Sequence, residues 1–450
     1  MILPENIIYV LEKLNNSGFE AYIVGGCVRD NLLGKTPVDY DITTNALPDE
    51  IKNVFSDLKI IDNNGEKHGT VTIRYNHENI EITTFRTDGD YLDHRHPDNV
   101  KFTRNLKEDL LRRDFTINAM AMDINLNLYD YFNGKEDLKN KVVKCVGTPT
   151  NRFTEDALRI LRGLRFASTL EFEIEESTLD AMFNLRDTLS YVSKERIKVE
   201  LDKMICGKYF TKLMRNNKVR EIFATIIPDI RLSFDFDQKS KYHPNDLYNH
   251  TLNVVENVSS NHIVKLAALF HDLGKVSSVS VEYKDGVEIY HFFGHEEKSY
   301  EIAKKTLKNL RYSTDEIGKI TWLVLYHDYN FSVKPKSLKK FMKKLPGRDD
   351  SFLIDSLIDL KKSDAMDHVN TNGFDFDIIR KNYDEIINNG ECFNIKTLKI
   401  DGNILVNLGY SGRTIGKILN ELVDLVVDSK LENDKNKLIE YVLKTYKKEC

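Results

Sequence analysis

The segment from Val24 to Thr44, VGGCVRDNLLGKTPVDYDITT, constrains this chain more than any other. An apolar strand end runs into Gly25 and Gly26, which let the backbone turn sharply into a short helix that Gly34 ends. A helix starting at such a turn directs free N–H groups at whatever lies above it, a place suited to phosphate. Asp39 and Asp41 follow with one aromatic residue between them, so on an extended strand both carboxylates project from the same face. Two hard oxygen ligands there make a divalent-cation site, with Mg²⁺ the expected ion. Either feature alone is ordinary turn or loop chemistry. Together, ahead of a strand-like ITT, they point to metal-assisted attack on a nucleoside triphosphate.

GGCVRDNLLG followed by DYDITT resembles the head-domain signature of the class II tRNA CCA-adding enzymes and bacterial poly(A) polymerases, nucleotidyltransferases of the polymerase β superfamily. The resemblance implies an α+β head, a mixed sheet with flanking helices like the polymerase β palm, followed by all-α neck, body, HD and tail regions. The expected divisions are a head over 1–147, neck and body helices over 148–235, an HD-like metal-binding region over 236–370 and a tRNA-binding tail over 371–450. It also implies catalytic roles for Asp39 and Asp41 as Mg²⁺ ligands, nucleotide contacts from Gly26 and Arg29, and tRNA, CTP and ATP as partners.

At 450 residues and 41% hydrophobic content, the chain can bury a sizeable core and form several domains. Its formal charge of −5 gives no global basic signal, so nucleic acid must be held by local patches. Cys27, Cys145, Cys206, Cys392 and Cys450 are scattered and form no C-x-x-C pair, which fits a reducing compartment. The sequence has neither an export signal nor a run of eighteen apolar residues, and the expectation is a soluble, cytoplasmic protein with no membrane contact.

Ile7, Ile8, Leu11 and Leu14 recur at helical spacing over Glu5–Asn16, with Gly18 as the cap. Pro48 opens a helix to about Phe55, and GTVTIRY and NIEITTFR look like two paired strands. Glu81 on the second strand is either a third carboxylate near the metals or a solvated strand residue. From Arg86 to Phe102 the sequence is polar and without periodicity, as in a mobile loop that is either a lid or a long surface connection. The family has a flexible loop here that helps switch the pocket from C to A. In EDLLRRDFTINAM, Arg112 and Arg113 form a pair of the kind that neutralises triphosphate charge, and the resemblance favours Arg113. DYFNGKEDL matches the turn that closes the family's head.

Thr154 to Ala167, TEDALRILRGLRFA, reads as one helix capped by Thr154. Leu158, Ile160, Leu161, Leu164 and Ala167 fill one side, and Asp156, Arg159, Arg162 and Gly163 the other. Asp156 and Arg159 are neighbours at i, i+3, and Gly163 leaves a shallow place for a flat group. From the residues alone this is equally an intrahelical ion pair. In the family the matching Asp and Arg mimic a templating base and select C or A, and Arg162 and Arg165 are further nucleotide contacts by residue match. The helical, mixed-charge stretch beyond, with Lys194, Arg196, Lys198 and Lys203, is where tRNA phosphates would be held.

Eight of the twelve histidines fall between Tyr242 and Val369. His250, His271, Asp272 and Asp364 have the H…HD…D order of the HD phosphohydrolase superfamily, which implies a transition-metal site, with His295 and His327 as ligands of a second ion. The glycines at 402, 409, 412 and 416 stand among short helical runs resembling the family tail, where Lys444, Lys447 and Lys448 would add phosphate contacts. The expected function is template-independent addition of C, C and A to tRNA. GKTPVDYDITTNALP also resembles the poly(A) polymerase branch, whereas the intact YLDHRHPDNVKF favours CCA addition. The alternatives of another class are a protein acting mainly as an HD phosphohydrolase, or a silent RNA-binding protein.

Overall fold

The apolar spacing at the start of the chain produces α1 (Glu5–Asn16), which buries Ile7, Val10, Leu11 and Leu14. Gly18 leaves it at φ +85°, as a cap glycine does. The structure, a computed structural model, describes residues 3–61, 68–88, 100–239, 244–329, 334–347, 350–367 and 376–446. Two compact units emerge, one of residues 1–236, 260–266 and 304–317, the other of 237–259, 267–303 and 318–450.

In the first unit β1 (Ala21–Val24), α2 (Gly26–Leu32), β2 (Asp41–Thr44), α3 (Pro48–Val54), β3 (Lys59–Ile61), β4 (Thr70–Tyr75) and β5 (Glu78–Thr84) follow in order. β6 (Arg86–Asp88) and β7 (Val100–Phe102) pair with each other, α4 (Leu106–Leu111) follows, and β8 (Met120–Met122) and β9 (Leu128–Asp130) complete the main sheet. Its order is β3-β4-β5-β2-β1-β8-β9. Two registers place the chemistry. β1 runs antiparallel to β2 with Val24 opposite Asp41, so the first carboxylate of β2 lies beside the glycine turn that follows β1. β2 runs parallel to β5 with Ile42 opposite Ile82, which brings Glu81 to the level of Asp41 and onto the same face.

Two expectations change here. β2 begins only at Asp41, so Asp39 belongs to the irregular approach and does not share a strand face with it. The expected loop from Arg86 to Phe102 starts and ends as paired strands, because Arg86, Thr87 and Asp88 find antiparallel partners in Phe102, Lys101 and Val100. Residues 89–99 lie outside the described residues.

The head closes as its sequence suggested. Asp130 accepts hydrogen bonds from the Gly134 and Lys135 N–H groups (both 2.9 Å), holding the start of α5 (Gly134–Lys139). A short parallel pair, β10 (Val142–Val143) with β11 (Glu173–Ile174), brackets α6 (Pro149–Glu155) and α7 (Leu158–Leu170). Next come α8 (Glu176–Asn184), α9 (Lys194–Ile205), α10 (Phe210–Met214) and α11 (Asn217–Ile226).

The helix expected over Thr154–Ala167 is two helices. Pro149 starts the first, a position where a missing N–H costs nothing, and Thr154 is inside it with its hydroxyl on the Thr150 carbonyl (2.8 Å). Asp156 leaves helical geometry at φ −138°, ψ 104°, and its carboxylate accepts the Leu158 N–H (3.0 Å). A short acceptor side chain that satisfies a free N–H competes with continuing the helix, so Asp156 separates α6 from α7.

The second unit is mostly helical: α12 (Leu247–Asn257), α13 (His262–Phe270), α14 (Lys275–Ser278), α15 (His295–Asn309), α16 (Thr314–Tyr326), α17 (Pro335–Met342) and α18 (Asp350–Met366). Residues 262–266 of α13, 304–309 of α15 and 314–317 of α16 are counted with the first unit. Between α14 and α15 an unforeseen hairpin forms from β12 (Ser280–Lys284) and β13 (Val287–His291), turning through Asp285 and Gly286 at positive φ. The tail contains α19 (Phe376–Asn388), α20 (Gly402–Asn407), α21 (Gly412–Val427) and α22 (Lys435–Thr445), around a core that includes Leu405, Tyr410, Leu422 and Val442. Lys444 is exposed there. Lys447, Lys448, His243 and His368 lie outside the described residues.

Candidate functional site

Gly25 sits at φ +82°, and a Cβ there would lie 3.0 Å from Arg113 Nη1 and 3.8 Å from Asp41 Oδ2. The turn, a guanidinium and a carboxylate therefore converge, and the turn needs glycine both for its φ and for that approach. Burial lowers the pKa of Arg113 from its ordinary value and Asp109 opposes the shift, so the guanidinium stays charged. Its Nη2 is 3.8 Å from Asp109, and its buried Nε has no hydrogen-bond partner. A buried cation with a spare donor beside a glycine turn is suited to a phosphate oxygen. Arg112, by contrast, is paired with Asp109 at 2.9 Å.

Desolvation raises the Asp41 carboxyl above its usual range and Asp39 adds to the rise, while Arg113 works against it. Carboxylates crowded in this way fit a divalent cation, whose charge reverses the penalty. Glu81, exposed on β5, shares the face of Asp41. Arg29 donates to Asn118 Oδ1 (2.7 Å) and lies 5.2 Å from the Phe166 ring centre. Arg162 and Arg165 flank the same ring at 5.5 and 3.9 Å, so three guanidinium groups surround one aromatic side chain. Arg162 grips Asp114 through Nε (2.7 Å) and Nη2 (2.6 Å). Burial opposes the charge on Asp114, but Arg162 prevails and brings its pKa down to about 2.

The Arg159 N–H donates to the Asp156 carbonyl (3.0 Å), but the two side chains take other partners. Asp156 Oδ2 binds Arg196 Nη2 at 2.9 Å, whereas Arg159 Nη1 binds Glu155 at 2.7 Å and its two Nη atoms donate to the Arg152 and Arg112 carbonyls. Asp156 has extended backbone geometry, so its side chain does not fall on the helix face that carries Arg159. Nor does Gly163 leave a shallow place. A Cβ on it would meet Met182 Cε at 2.2 Å and Phe115 Cζ at 2.8 Å, so that face of α7 is packed. Of the basic residues beyond, Arg196 is engaged by Asp156 and Lys198 by Glu316 (2.9 Å).

In the second unit the HD residues meet around Asp272. Its Oδ2 lies 3.3 Å from His250 Nε2 and 3.2 Å from His271 Nε2. Its buried Oδ1, which has no hydrogen-bond partner, faces His295 Nε2 at 3.2 Å and His327 Nε2 at 3.5 Å. Asp364 Oδ1 adds a ligand 3.2 Å from His250. The Nδ1 atoms of His271, His295 and His327 lie 2.7, 2.9 and 2.7 Å from carbonyls of Ala268, Phe292 and Val324, so those nitrogens donate. Rings held that way turn Nε2 to the Asp272 carboxylate, where a proton or a metal ion can bridge the two. Burial works against charge on His250, but Asp272, Asp364 and Asp367 overcome it and raise its pKa well above the ordinary value. Burial keeps His271 below it. Asp272 thus bridges two adjoining ligand sets, each suited to a divalent transition ion. A cavity of about 330 Å³ opens onto them, lined also by Lys275, Phe293, Gly294 and Asp328. Gly274 permits the arrangement, since a Cβ on it would come within 2.2 Å of the His295 carbonyl oxygen and 2.6 Å of the Ser299 nitrogen.

Comparison with known proteins matches the regions that contain the two sites. Residues 21–144 match the Poly A polymerase head domain, 171–232 the probable RNA and SrmB-binding site of polymerase A, and 247–367 the HD domain. A CCA-adding enzyme of Staphylococcus epidermidis is 49% identical over 212 residues, 46% of this chain and 52% of that one. The chain carries a head domain, an RNA-binding region and an HD domain similar to those of the CCA-adding enzymes and poly(A) polymerases. It spans about half the length of the curated relatives that it matches. In fold, the structure of a Bacillus stearothermophilus CCA-adding enzyme in complex with CTP is similar at a TM-score of 0.67 and 24% identity, over 99% of this chain and 98% of that one. A Thermotoga maritima CCA-adding enzyme complexed with tRNA is similar at 0.58 and 21%, over 99% and 97%.

Within the family frame, sequence reasoning missed the residues that hold the site residues in place. Asp114 and Asn118 anchor Arg162 and Arg29, and Glu200 binds Arg165. Asp367, one helical turn beyond Asp364, receives His250 Nδ1 at 2.8 Å, and Lys275 lies 2.6 Å from Asp272. The i, i+3 spacing of Asp364–Asp367 and Asp272–Lys275 was a readable signal for the last two. Among the described residues no helix is long and apolar enough to cross a membrane.

Proposed function

We propose that the protein adds C, C and A to the 3′ end of tRNA from CTP and ATP without a nucleic-acid template. The observation that carries this is the meeting of the Gly25 turn, Asp41 and the spare donor of Arg113, in a head matched to the polymerase family. Asp39 and Asp41 would hold Mg²⁺, which would supply the charge that activates the tRNA 3′-hydroxyl and neutralises the triphosphate. Glu81 supplies a third carboxylate from the neighbouring strand. Arg113 takes the phosphates, and Arg29, Arg162 and Arg165 border the nucleotide on the Phe166 side. Asp156 and Arg159 read the base edge, accepting from the amino group that C and A share and donating to the adjacent ring acceptor. The hydroxyl oxygen bonds to the α-phosphorus as the bond to pyrophosphate breaks, and the hydroxyl proton passes to solvent. Positioning and charge neutralisation carry most of the rate. The four-part division at 147, 235 and 370, a tRNA-holding tail and a cytoplasmic location belong to this reading. Four free cysteines among the described residues fit that compartment.

The test is incubation with tRNA lacking its 3′ end, each nucleoside triphosphate in turn and Mg²⁺, followed by sequencing of the products. Runs of A without C would replace this reading with poly(A) synthesis. Absence of any addition would refute it.

The HD cluster favours a second activity, hydrolysis of phosphoesters such as 2′,3′-cyclic or 2′-phosphate ends. A transition ion in each ligand set would activate water and polarise the phosphate. The water oxygen bonds to phosphorus, the ester P–O bond breaks, and the proton passes to the departing oxygen. Phosphate release assayed with Mn²⁺, Co²⁺ or Ni²⁺ tests it, and no release with any of them refutes it.

A further inference from the structure

The HD cavity has one wall that the ligand cluster does not explain. Its rim is Phe292, Phe293 and Gly294, the link between β13 and α15. Phe292 turns inward, with Lys275 Nζ 5.5 Å from its ring centre and Tyr290 packed edge-on at 6.4 Å. Phe293 does the opposite and is 81% exposed while still lining the cavity. A large ring left out of the core forfeits its burial, and here a specific arrangement keeps it out. The His291 ring lies nearly parallel to it, 11° between planes and 5.6 Å between centres. His291 is itself fixed by Glu282 at 2.7 Å. Gly294 at φ +71° then turns the chain, so that the next residue, His295, points its Nε2 at Asp272.

One face of Phe293 is thus supported by an anchored imidazole while the other is open, and only one residue separates the ring from a metal-site histidine. The two Cα atoms are at most about 7 Å apart. An open aromatic face at that range from a phosphate-directed site matches the spacing between a nucleobase and its ribose phosphate.

We propose that Phe293 is a base-stacking platform, and that the HD site takes phosphoesters of nucleosides, free or at an RNA end, with the terminal base on Phe293 and the phosphate over Asp272. This rests on the hydrolase reading of the site. Stacking is tolerant of sequence because every base presents a π face, so the platform selects nucleotides over other phosphoesters without selecting among bases. Lys275, 2.6 Å from Asp272 in the same cavity, supplies positive charge where the phosphate enters.

The test compares adenosine 2′,3′-cyclic phosphate with a substrate lacking a base, glycerol 1,2-cyclic phosphate, on the full-length Mn²⁺-, Co²⁺- or Ni²⁺-loaded protein. Phe293→Ala is expected to lower the ratio of kcat/KM between the two about tenfold, mostly through KM, and Phe293→Trp to restore it. An unchanged ratio in Phe293→Ala, or a low ratio in Phe293→Trp, overturns the platform. Calorimetric titration of adenosine 2′-monophosphate runs in parallel. A wild type that hydrolyses neither substrate refutes the hydrolase reading, while equal affinity in wild type and Phe293→Ala refutes the platform whether or not hydrolysis is seen.

Discussion

Replacing Asp156 by Asn separates base reading from folding, because the two depend on different atoms of one side chain. Oδ1 accepts the Leu158 N–H at 3.0 Å, and an amide oxygen does the same, so the break between α6 and α7 survives. Oδ2 binds Arg196 at 2.9 Å, with the two side chains 16% and 29% exposed. A pair so placed is mostly buried, so weakening it costs on the order of 1 kcal/mol or more, a loss that the thermal scan registers separately from base preference. With its oxygen held in the cap, the amide presents NH₂ to the base. That donor opposes the amino group of C or A, and suits the carbonyl oxygen that U and G carry there. An opposed buried group costs about 1–3 kcal/mol, so preference for CTP and ATP over UTP and GTP should fall by roughly 5- to 150-fold. Single-turnover rates with the four nucleotides on tRNA lacking its 3′ end give the preference, and a thermal scan gives the stability. A variant that loses stability but keeps its preference would refute base reading by Asp156 and leave it a helix cap.

Asp39→Ala or Asp41→Ala should reduce nucleotide addition by orders of magnitude while tRNA binding persists, since each ~1.4 kcal/mol of lost transition-state stabilisation is tenfold; near wild-type turnover in either would remove the Mg²⁺ site. Arg113→Ala should slow all four nucleotides alike, and a selective effect on one pair would contradict triphosphate binding. His271→Ala and Asp272→Ala should abolish transition-metal binding, read by elemental analysis, and phosphate release, yet spare CCA addition. Asp114 is held at a pKa of about 2 against 3.8 for the free group, worth about 2 kcal/mol at neutral pH. Because the folded value is the lower one, that stability is present above pH ~4 and drains away as pH falls through about 2. The urea-midpoint gap between wild type and Asp114→Asn should therefore narrow on acidification, and a gap independent of pH would refute the charge argument.

What could be read in advance was whatever depends on neighbours in sequence. Spacing located α1 at Glu5–Asn16, and paired β propensities located β4 and β5. The glycine turn and the carboxylates could be recognised singly, but the sheet register that brings Asp41 beside Gly25 and level with Glu81 is a long-range pairing. The helix wheel failed at Asp156 because a cap, a local hydrogen bond outside helical periodicity, ended one helix and began another. It failed at Gly163 because Phe115 and Met182, far away in sequence, fill the space that its missing side chain leaves. In the HD region the order of ligands was legible, and the hairpin that places Phe293 beside them was legible too but went unread: Val281, Tyr283, Val287 and Ile289 alternate around an Asp285-Gly286 turn.

Gly274 determines how the HD ligands can drift. Its Cα rests against the main chain of α15 at His295 and Ser299, so the separation between the ligand set of His250 and His271 and that of His295 is gauged by backbone touching backbone. Side-chain rotamers can relax around a changed ligand, but two main chains in contact cannot be adjusted by rotating a bond. An alanine at this position would force the segments apart by roughly an ångström, enough to draw His295 away from Asp272. The spacing of the two ligand sets is then a property of one missing methyl group, and it should hold across changes in the surrounding side chains for as long as that glycine is kept.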